Sequence, residues 1–444
     1  MEINKYTLIY YHIMKMRFLA TIIAMGLSIY ALAQQHPTSS TADKLQFVVG
    51  NEEAVNDTVD NPYDVLIDNI PTDPEYTAPH FAIIDHDQRF YLSLGASVKA
   101  VALYDWGNPY ENPSDFKPSD FQPATQGDDQ LLQMSIKSSS INLNIVGMPK
   151  NKYRIGLFIA LMFNAGYGNE YVVKCDHAYI KCAGLTLGYT SSLYDDKSAD
   201  AYLIDGNGAG ASGGHSNMTF NWQRYITPNI KLGAGLELPK VSYTTFADVE
   251  DCYQRVPSIP LYAQYSWGDI GHVRLSSVIR PLRYNDVIGN CYRTEVGYGL
   301  KLTANARVGN FVSYLMAQTG RGIANYLKDN DGFNLDMTPS PDNMGQLNLT
   351  GSWGCLGAIQ YNYTPKMFST LMYGYMRNYV DAYNGGLIAY GDHMKYEHYA
   401  AVNFIWRAST FVDLGVEYNY GMKRNFADNS LTNNRISAMF RVSF

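Results

Sequence analysis

The closing segment NNRISAMFRVSF, Asn433–Phe444, decides the fold class of this chain. Every second residue is apolar or aromatic, and arginines at positions 435 and 441 lie among the residues between them. Because a strand points alternate side chains to opposite faces, this segment has one apolar face and one charged face. Such a strand suits either a soluble sandwich or a membrane barrel. The apolar face carries Ile436, Ala438, Phe440, Val442 and Phe444.

The same two-residue period recurs from residue 89 to the end of the chain, and it predicts sixteen strands with no helix among them. Every second connection between the strands is a short turn, such as 183–184 or 408–409, and most of the others are long, such as 106–130 and 192–216. Short turns at one end and long loops at the other are typical of bacterial outer-membrane barrels. The predicted strands are 89–105, 131–147, 153–163, 171–182, 185–191, 217–225, 230–239, 259–267, 271–282, 292–307, 310–319, 345–362, 367–377, 396–407, 410–421 and 433–444.

The second face of many strands carries charge, which separates the two fold classes. Val273, Leu275 and Ile279 share one face of a strand whose other face carries Arg274 and Arg280. Such charges do not pack into a sandwich core without partners, whereas they can line a water-filled lumen while the apolar face meets lipid. We therefore predict an all-β fold over residues 89–444, a transmembrane antiparallel β-barrel of sixteen strands with short periplasmic turns and long extracellular loops.

The first residues of the chain predict that the protein is exported. The long apolar run Phe18–Ala31 follows two basic residues and ends in a small-x-small pattern at residues 31–33. This predicts a signal peptide over residues 1–33, with Gln34 as the first mature residue. Residues 34–88 are polar and acidic without heptads or a sustained strand pattern, so we interpret them as a mostly irregular periplasmic tail or linker.

Charge and composition exclude several functions. Removing residues 1–33 takes three basic residues and one acid from totals of 34 and 41, which leaves a net charge of −9. An acidic exported chain is a poor candidate for nucleic-acid binding. Five cysteines without a C-x-x-C pattern predict neither a disulfide framework nor a zinc site, although Cys252 and Cys291 lie in loops that a disulfide could join. No cofactor, metal site or catalytic residue is predicted.

The lumen is the predicted functional region, because sixteen strands leave an aqueous channel unless a segment folds inward. The connection 192–216 is the candidate constriction loop, since it has an apolar middle, a Gly-rich end and the acids Asp195, Asp196, Asp200 and Asp205. A basic wall facing it would create a transverse field that favours anions. Alternatively, these basic residues pair with lumenal acids and only stabilise the wall. The predicted basic wall comprises Lys99, Lys137, Arg154, Lys231, Arg274, Arg280, Arg293, Lys301, Arg377, Arg407, Arg435 and Arg441.

Several stretches resemble the DcaP-like porins, a family of trimeric sixteen-stranded outer-membrane channels for small anionic solutes such as dicarboxylates. The most specific match is WGDIGHVRLSSVIRPLRY at 267–284, a Gly-His-Val turn that leads into an arginine-bearing strand. The resemblance covers residues 90–290, and it implies a homotrimer in the outer membrane. Two departures are the absence of a coiled coil before the barrel and the presence of Val173 and Cys175 in the His-Ala-Tyr strand. The other matching stretches are LGASVKAVALYDW at 94–106, DHAYI at 176–180, LGYTSSLYDD at 187–196 and LIDGNG at 203–208.

The sequence therefore predicts a passive diffusion porin in the outer membrane of a Gram-negative bacterium, with a preference for small anions and contacts with outer-membrane lipid. A barrel with a closed lumen and a structural role is one alternative. A barrel hydrolase is another, for which His177 and the hydroxyls of residues 190–192 form the candidate cluster. The closing residues Phe440, Val442 and Phe444 are the predicted signal for the outer-membrane assembly machinery, which reads a C-terminal strand that ends in an aromatic residue.

Overall fold

The computed structural model describes most of the chain from residue 45 onward. The predicted signal peptide, residues 1–33, lies outside the described residues. Residues 47–84 and 88–444 form one compact unit, whereas residues 1–46 and 85–87 form a second, of which Leu45, Gln46 and Asp85 are described. The described ranges are 45–49, 62–72, 76, 81–85, 89–113, 115–124, 127, 129–151, 153–165, 171–214, 216–244, 248–380 and 393–444.

Sixteen antiparallel strands form the barrel, as the sequence predicts. The second strand is interrupted, and both of its parts pair with the first. The strands are β1 Phe90–Gly107, β2 Gln130–Ser135 with Ser140–Gly147, β3 Ile155–Ala165, β4 Tyr171–Cys182, β5 Leu185–Ser191, β6 Ser216–Tyr225, β7 Ile230–Glu237, β8 Ile259–Ser266, β9 Gly271–Asp286, β10 Cys291–Val308, β11 Phe311–Arg321, β12 Gly351–Thr364, β13 Met367–Tyr379, β14 Met394–Arg407, β15 Val412–Asn425 and β16 Ser430–Ser443.

The closing contact joins β16 to β1 and completes the barrel. It runs from Asn433 opposite Gly107 to Ser443 opposite Ser97. The amide of Phe444 also donates to the carbonyl oxygen of Ala96 at 2.8 Å. Because a bilayer offers no water to unpaired backbone groups, a sheet can span it only when its edges are joined in this way. The predicted closed barrel is therefore confirmed.

Short turns and long loops alternate around the barrel and define its two ends. The turn between β4 and β5 consists of Ala183 and Gly184, with φ of 52° and 83°. Two consecutive positive φ values are those of a type I′ turn, which matches the twist of the flanking strands. At the opposite end, residues 192–215 join β5 to β6, and residues 322–350 join β11 to β12. The short turns mark the periplasmic end and the long loops mark the extracellular end.

Alternation within each strand sorts side chains between lumen and lipid. In β9, Arg274 and Ser276 are buried, whereas Leu275 and Ile279 on the opposite face are 54% and 44% exposed. The exposed set would meet lipid chains, and the buried set faces the barrel interior. In β16 the predicted assignment holds, because Ile436 and Phe440 point outward while Arg435 and Arg441 point inward.

Several short elements lie outside the sixteen strands. In the described residues, no helix is long and apolar enough to cross a membrane. Of the α-helices in the described residues, α1 is the longest and has six residues. The short elements are α1 Pro62–Ile67, the strands Leu45–Val49, Phe81–Asp85, Val249–Glu250, Met337–Pro339 and Leu347–Leu349, and the 3-10 turns Pro118–Asp120, Lys197–Ala199, Gly268–Ile270, Ala324–Tyr326 and Lys328–Asn330.

Part of the segment 34–88, predicted to be a mostly irregular periplasmic tail or linker, folds against the inner wall of the barrel. Leu66 of α1 is fully buried in a cluster with Tyr91 and Val146, two inward-facing residues at the periplasmic ends of β1 and β2. The Nδ2 group of Asn69 donates to Asn144 Oδ1 at 2.7 Å. A Cβ on Gly156 would lie 1.9 Å from Asn69 Oδ1, so β3 needs a glycine where this segment crosses it.

Candidate functional site

The loop between β5 and β6, residues 192–214, lies against the inner wall of the barrel, and its residue Ile204 packs on Phe368 and Ile405 near the periplasmic ends of β13 and β14. Its apolar residues Tyr194, Ala209 and Ala211 are at most 1% exposed. A Cβ on Gly374 would lie 2.4 Å from Ala209 Cβ, so β13 presents bare backbone where the loop crosses it. Burying these side chains favours the inward position of the loop.

Two of the predicted loop acids bind wall residues of β9 and β10. Asp195 Oδ1 lies 2.6 Å from Lys301 Nζ, and both side chains are almost fully buried. Asp196 Oδ2 lies 2.8 Å from His272 Nε2 and accepts from Thr303 at 2.5 Å. The guanidinium of Arg274 lies 3.9 Å from the same carboxylate. Each loop acid therefore has a cationic or hydroxyl partner on the wall.

The environment of Asp196 favours its ionised form. Burial by itself would raise the pKa of this carboxyl, but the hydrogen bond with His272 and the charge of Arg274 hold the pKa well below its usual range. Arg274 also donates to the carbonyl oxygen of Leu193 and stacks on Tyr262, with 3.7 Å between its guanidinium carbon and the ring centre. Asp196, Arg274 and His272 thus form a charged anchor for the start of the loop.

Asp205 joins the loop to two other parts of the barrel. Its Oδ1 accepts from the amide of Phe116, in the connection between β1 and β2, at 2.8 Å. Its Oδ2 accepts from the hydroxyl of Tyr399 in β14, also at 2.8 Å. Glu417 of β15 accepts from the amides of residues 204 and 205 at 2.7 and 2.8 Å. Burial and the charge of Glu417 raise the pKa of Asp205 to about 6.

Asp200, the remaining predicted loop acid, lies at a cavity of about 230 Å³ between the loop and the wall. Its carboxylate lies 3.6 Å from Lys197 Nζ within the loop. The wall contributes Lys99, whose Nζ donates to the carbonyl oxygen of Ile204 at 2.9 Å. The charged residues that line this cavity are Lys99, Asp115, Lys137, Asp176, Lys197, Asp200, Asp205, Lys328 and Arg441.

The remaining predicted wall residues occupy several environments. Arg441 donates from Nε to the hydroxyls of Ser97 and Ser443 at 3.0 and 3.1 Å, and it borders the same cavity. Arg435 forms a buried two-pronged pair with Asp105, with distances of 2.7 and 3.0 Å. Arg441 therefore lies beside the cavity, whereas the guanidinium of Arg435 is bound by a wall carboxylate.

Arg280 and Arg293 do not line either of the two cavities described for the lumen. The guanidinium of Arg280 is 1% exposed and pairs with Asp336 at 2.6 Å, because the loop 322–350 folds over β9. Arg293 pairs with Asp286 at 2.8 Å near the extracellular end of β10. For these arginines the structure matches the alternative in which wall cations pair with acids.

Arg377 faces the opposite direction from the prediction. It shares the outer face of β13 with Leu371 and Tyr379, which are 60% and 49% exposed. The inward residues of that strand include Met372 and Met376, which pack with the inserted loop region. Because this part of the inner wall is apolar, the presence of charge no longer marks the lumenal face, and the assignment of Arg377 to the lumen is wrong.

A second cavity, of about 690 Å³, lies at the periplasmic end of the barrel between the α1 segment and the inner wall. The carboxylate of Asp68 lies 2.6 Å from Arg154, and its carbonyl oxygen accepts from Lys181 Nζ at 2.5 Å. Arg407 is exposed at the same end of β14, with its guanidinium carbon 5.4 Å from the ring centre of Phe368. The charged residues that line this cavity are Asp68, Lys150, Arg154, Lys181 and Lys231.

The residues considered for hydrolysis or metal binding have structural surroundings. His177 is 1% exposed, its Nδ1 lies 2.9 Å from Thr190 Oγ1, and it packs beside the rings of Tyr76 and Phe158. All five cysteines are free thiols, so Cys252 and Cys291 are not joined. The described residues hold no group of three or more His, Cys, Asp or Glu side chains placed to share a metal ion.

Several partners of these charged residues come from other loops and were not predicted. Asp336, Lys328 and Asp68 lie in segments without a strand pattern, and their partners are far away in the sequence. For Asp68, its position in a short apolar stretch, DVLIDNI at 64–70, was an available signal of packing.

A closed sixteen-stranded barrel with an apolar outer belt, a polar interior and loops folded into the lumen defines the porin class of outer-membrane channels. Residues 112–444 match the model of the DcaP outer membrane protein family. Since this match spans more than half of the chain, the chain belongs to that family, and the resemblance seen in the sequence is confirmed.

Solved structures share the fold. The outer membrane channel DcaP of Acinetobacter baumannii superposes with a TM-score of 0.69 at 18% sequence identity, covering 80% of this chain and 97% of that chain. A loop L8 deletion mutant of OmpT, an outer membrane protein of Vibrio cholerae, gives a TM-score of 0.50 at 9% identity, covering 80% of this chain and 100% of that chain. No curated protein matches the sequence. The chain is therefore an outer-membrane channel protein of the porin class.

Proposed function

We propose that this barrel is a passive diffusion channel for small anionic solutes, with dicarboxylates as the class that family membership suggests. The observation that carries the proposal is the charge of the periplasmic cavity. Four cations, Lys150, Arg154, Lys181 and Lys231, line it against one carboxylate, Asp68. A low-dielectric mouth with this imbalance concentrates anions and repels cations. Planar carboxylates also suit the forked donors of an arginine.

The cavity between the inserted loop and the wall supports the same preference less strongly. It is lined by five cations and four aspartates, so its charge is nearly balanced. The carboxylates of Asp195 and Asp196 are held by wall cations and do not border this cavity. In our proposal the loop sets the size of the opening, and the periplasmic mouth sets most of the charge preference.

Planar-bilayer recording under a potassium chloride gradient tests this function. The wild-type barrel should give discrete conductance steps and a reversal potential on the anion side. Replacing Lys181 and Lys231 by glutamine should move the reversal potential toward zero, since two of the four cavity cations are removed. Arg224→Gln is the matched control, because Arg224 lies at the same end of the barrel on the outer face and should leave the potential unchanged. A cation-selective wild-type barrel would contradict the proposal.

We further propose that the mature chain starts at Gln34, that it assembles as a homotrimer without enzymatic activity, and that the segment preceding the barrel lies in the periplasm. Mass measurement of the exported protein tests the first point. Cross-linking in the membrane tests the trimer. The packing of His177 against Thr190 and the rings of Tyr76 and Phe158 supports a structural role for that residue. Lipid or peptide hydrolysis by the purified barrel would contradict that role.

One observation favours the alternative of a closed lumen. Segments from residues 62–72, 115–121, 192–214 and 322–350 all pack against inward-facing side chains. A barrel filled by them would give no conductance steps in the bilayer experiment. The same recording therefore separates the two functions.

A further inference from the structure

The outer faces of the strands carry charge at one level of the barrel. Arg321, Arg377 and Arg424 lie near the extracellular ends of β11, β13 and β15, on the faces that carry exposed apolar residues. Among the sixteen strands as described, no carboxylate points outward at this end. Side chains that would otherwise face lipid are usually apolar, so three arginines at one height call for a partner in the membrane.

Strand pairing places these arginines in a continuous row with aromatic residues. Arg377 is directly opposite Trp353 on one side and Tyr396 on the other, and Tyr396 is directly opposite Arg424. Residues opposite each other in an antiparallel pair share a face and contact one another. The row is therefore Trp353, Arg377, Tyr396, Arg424, which alternates ring and guanidinium. Aromatic side chains at this position form the girdle at the membrane interface, where lipid head groups lie.

A gap lies beside this row. Arg321 is opposite Gly351, and Gly351 is opposite Tyr379, so the strand between Arg321 and Tyr379 carries no side chain there. With about 4.8 Å between strands and about 3.4 Å per residue, the Cα atoms of Arg321 and Arg377 are about 12 Å apart. Two arginine side chains can close that distance around one or two anionic groups.

A neighbouring aromatic ring orients the side chain of Arg377. Its guanidinium carbon lies 5.1 Å from the ring centre of Tyr379, and that hydroxyl accepts from Trp353 Nε1 at 3.3 Å. Its Nε atom is buried without a hydrogen-bond partner among the described residues. Neither Arg377 nor Arg321 forms an ion pair within the described part of the chain, whereas Arg424 lies 3.1 Å from Asp428. Among the described residues, Arg424 thus has a carboxylate partner, whereas Arg321 and Arg377 have none.

We propose that Arg321, Arg377 and the rings of Trp353, Tyr379 and Tyr396 form a binding site for a phosphorylated lipid of the outer leaflet. Phosphate oxygens match the forked donors of arginine, and desolvated charge pairs at the membrane interface are strong. The rings would lie beside the sugar or glycerol part of the head group, and the apolar belt below would contact the acyl chains. Arg424, partly neutralised by Asp428, adds long-range attraction.

Native mass spectrometry of the full-length protein in detergent tests the site, with diphosphoryl lipid A as the probe and phosphatidylcholine as the reference. The wild type should retain lipid A at least about tenfold more tightly than phosphatidylcholine. The double variant Arg321→Gln, Arg377→Gln should lose most of this preference, and Arg377→Lys should lose part of it, since an ammonium keeps the charge without the fork. Dephosphorylated lipid should bind wild type and variant alike.

Three results would overturn the proposal. The first is unchanged lipid A binding by the double variant. The second is an equal loss in Arg224→Gln, the outward-facing arginine at the periplasmic end. The third is a changed number of subunits in the double variant, which would make this face a contact between copies of the chain. If the double variant does not assemble, Arg377→Lys and wild type still decide the question, because equal binding by the two removes Arg377 from the site.

Discussion

The buried pair between Lys301 and Asp195 gives the sharpest test of how the inserted loop is held. Their charged atoms lie 2.6 Å apart, and their side chains are 0% and 2% exposed. Lys301→Met keeps most of the side-chain volume but removes the cation next to Asp195. Losing one partner of a buried ion pair costs about 3–5 kcal/mol. Since about 1.4 kcal/mol changes an equilibrium constant tenfold, the docked loop should be disfavoured by about two to four powers of ten.

Single-channel recording in planar bilayers measures the consequence. Lys301→Met should give larger and noisier conductance steps than wild type, because a released loop leaves the lumen wider for part of the time. The control is Lys240→Met, which removes a pair with Asp331 of similar length, 2.7 Å, whose side chains are 50% and 41% exposed. Such an exposed pair contributes about 0–1 kcal/mol, so the control should match wild type.

A double variant separates the effect of the unpaired Asp195 carboxylate from the effect of altered packing at position 301. Adding Asp195→Asn to Lys301→Met removes the uncompensated carboxylate, and it should restore part of the wild-type conductance. Wild-type conductance and noise in Lys301→Met, together with unchanged resistance to urea unfolding, would show that this pair does not hold the loop.

Three further predictions follow from the same contacts. Burial and Glu417 raise the pKa of Asp205 to about 6, above its ordinary value, so this group favours the folded loop in acid and that contribution is lost as the pH rises through about 6. Acidification from about pH 8 to about pH 5 therefore neutralises one negative charge at the constriction, and the reversal potential should move toward the anion side with a midpoint near pH 6. Asp205→Asn should abolish that step, and a step that persists in the variant would assign the titration to another group. Deletion of residues 62–72 should increase single-channel conductance, because α1 and Asn69 leave the periplasmic mouth; an unchanged conductance would place the segment outside the conducting path. Deletion of Phe444 should lower the amount of assembled protein in outer-membrane fractions, since its backbone bonds to Ala96 and the predicted assembly signal are both removed; equal amounts would contradict the assembly-signal hypothesis.

The strands were predictable because every second residue of a barrel strand faces lipid and is therefore apolar. The predicted strands 153–163 and 271–282 show it clearly; the first overlaps β3, which begins at Ile155, and the second lies within β9. The wall residues were less predictable, because the polarity of the inward-facing side chains depends on which segments pack against them. Where the inserted loop covers β13, Met372 and Met376 face inward, and the charge pattern that places Arg274 correctly places Arg377 on the wrong face.

The role of each cation also depends on partners that no local pattern shows. Arg280 alternates with apolar residues in the same way as Arg274. Its guanidinium nevertheless donates to both carboxylate oxygens of Asp336, which lies 56 residues further along the chain. Arg441 has the same signal again and remains beside the cavity. The alternation in a single sequence indicates which face of the barrel wall a residue occupies. The long loops determine which of the inward-facing cations remain available to solutes.

The two strands that close the barrel, β1 and β16, do not end at the same level on the periplasmic side. β1 extends past the end of β16, since the last contact is between Phe444 and Ala96, and residues 90–95 continue toward the periplasm. The short strand Phe81–Asp85 covers that remainder, pairing Ala82 with Ser93 and Ile84 with Tyr91. An uncovered edge would be a template for pairing with another chain. Residues 81–85 therefore cover backbone groups of β1 that could otherwise pair with another chain, and deleting them should expose an unpaired strand edge at the periplasmic rim.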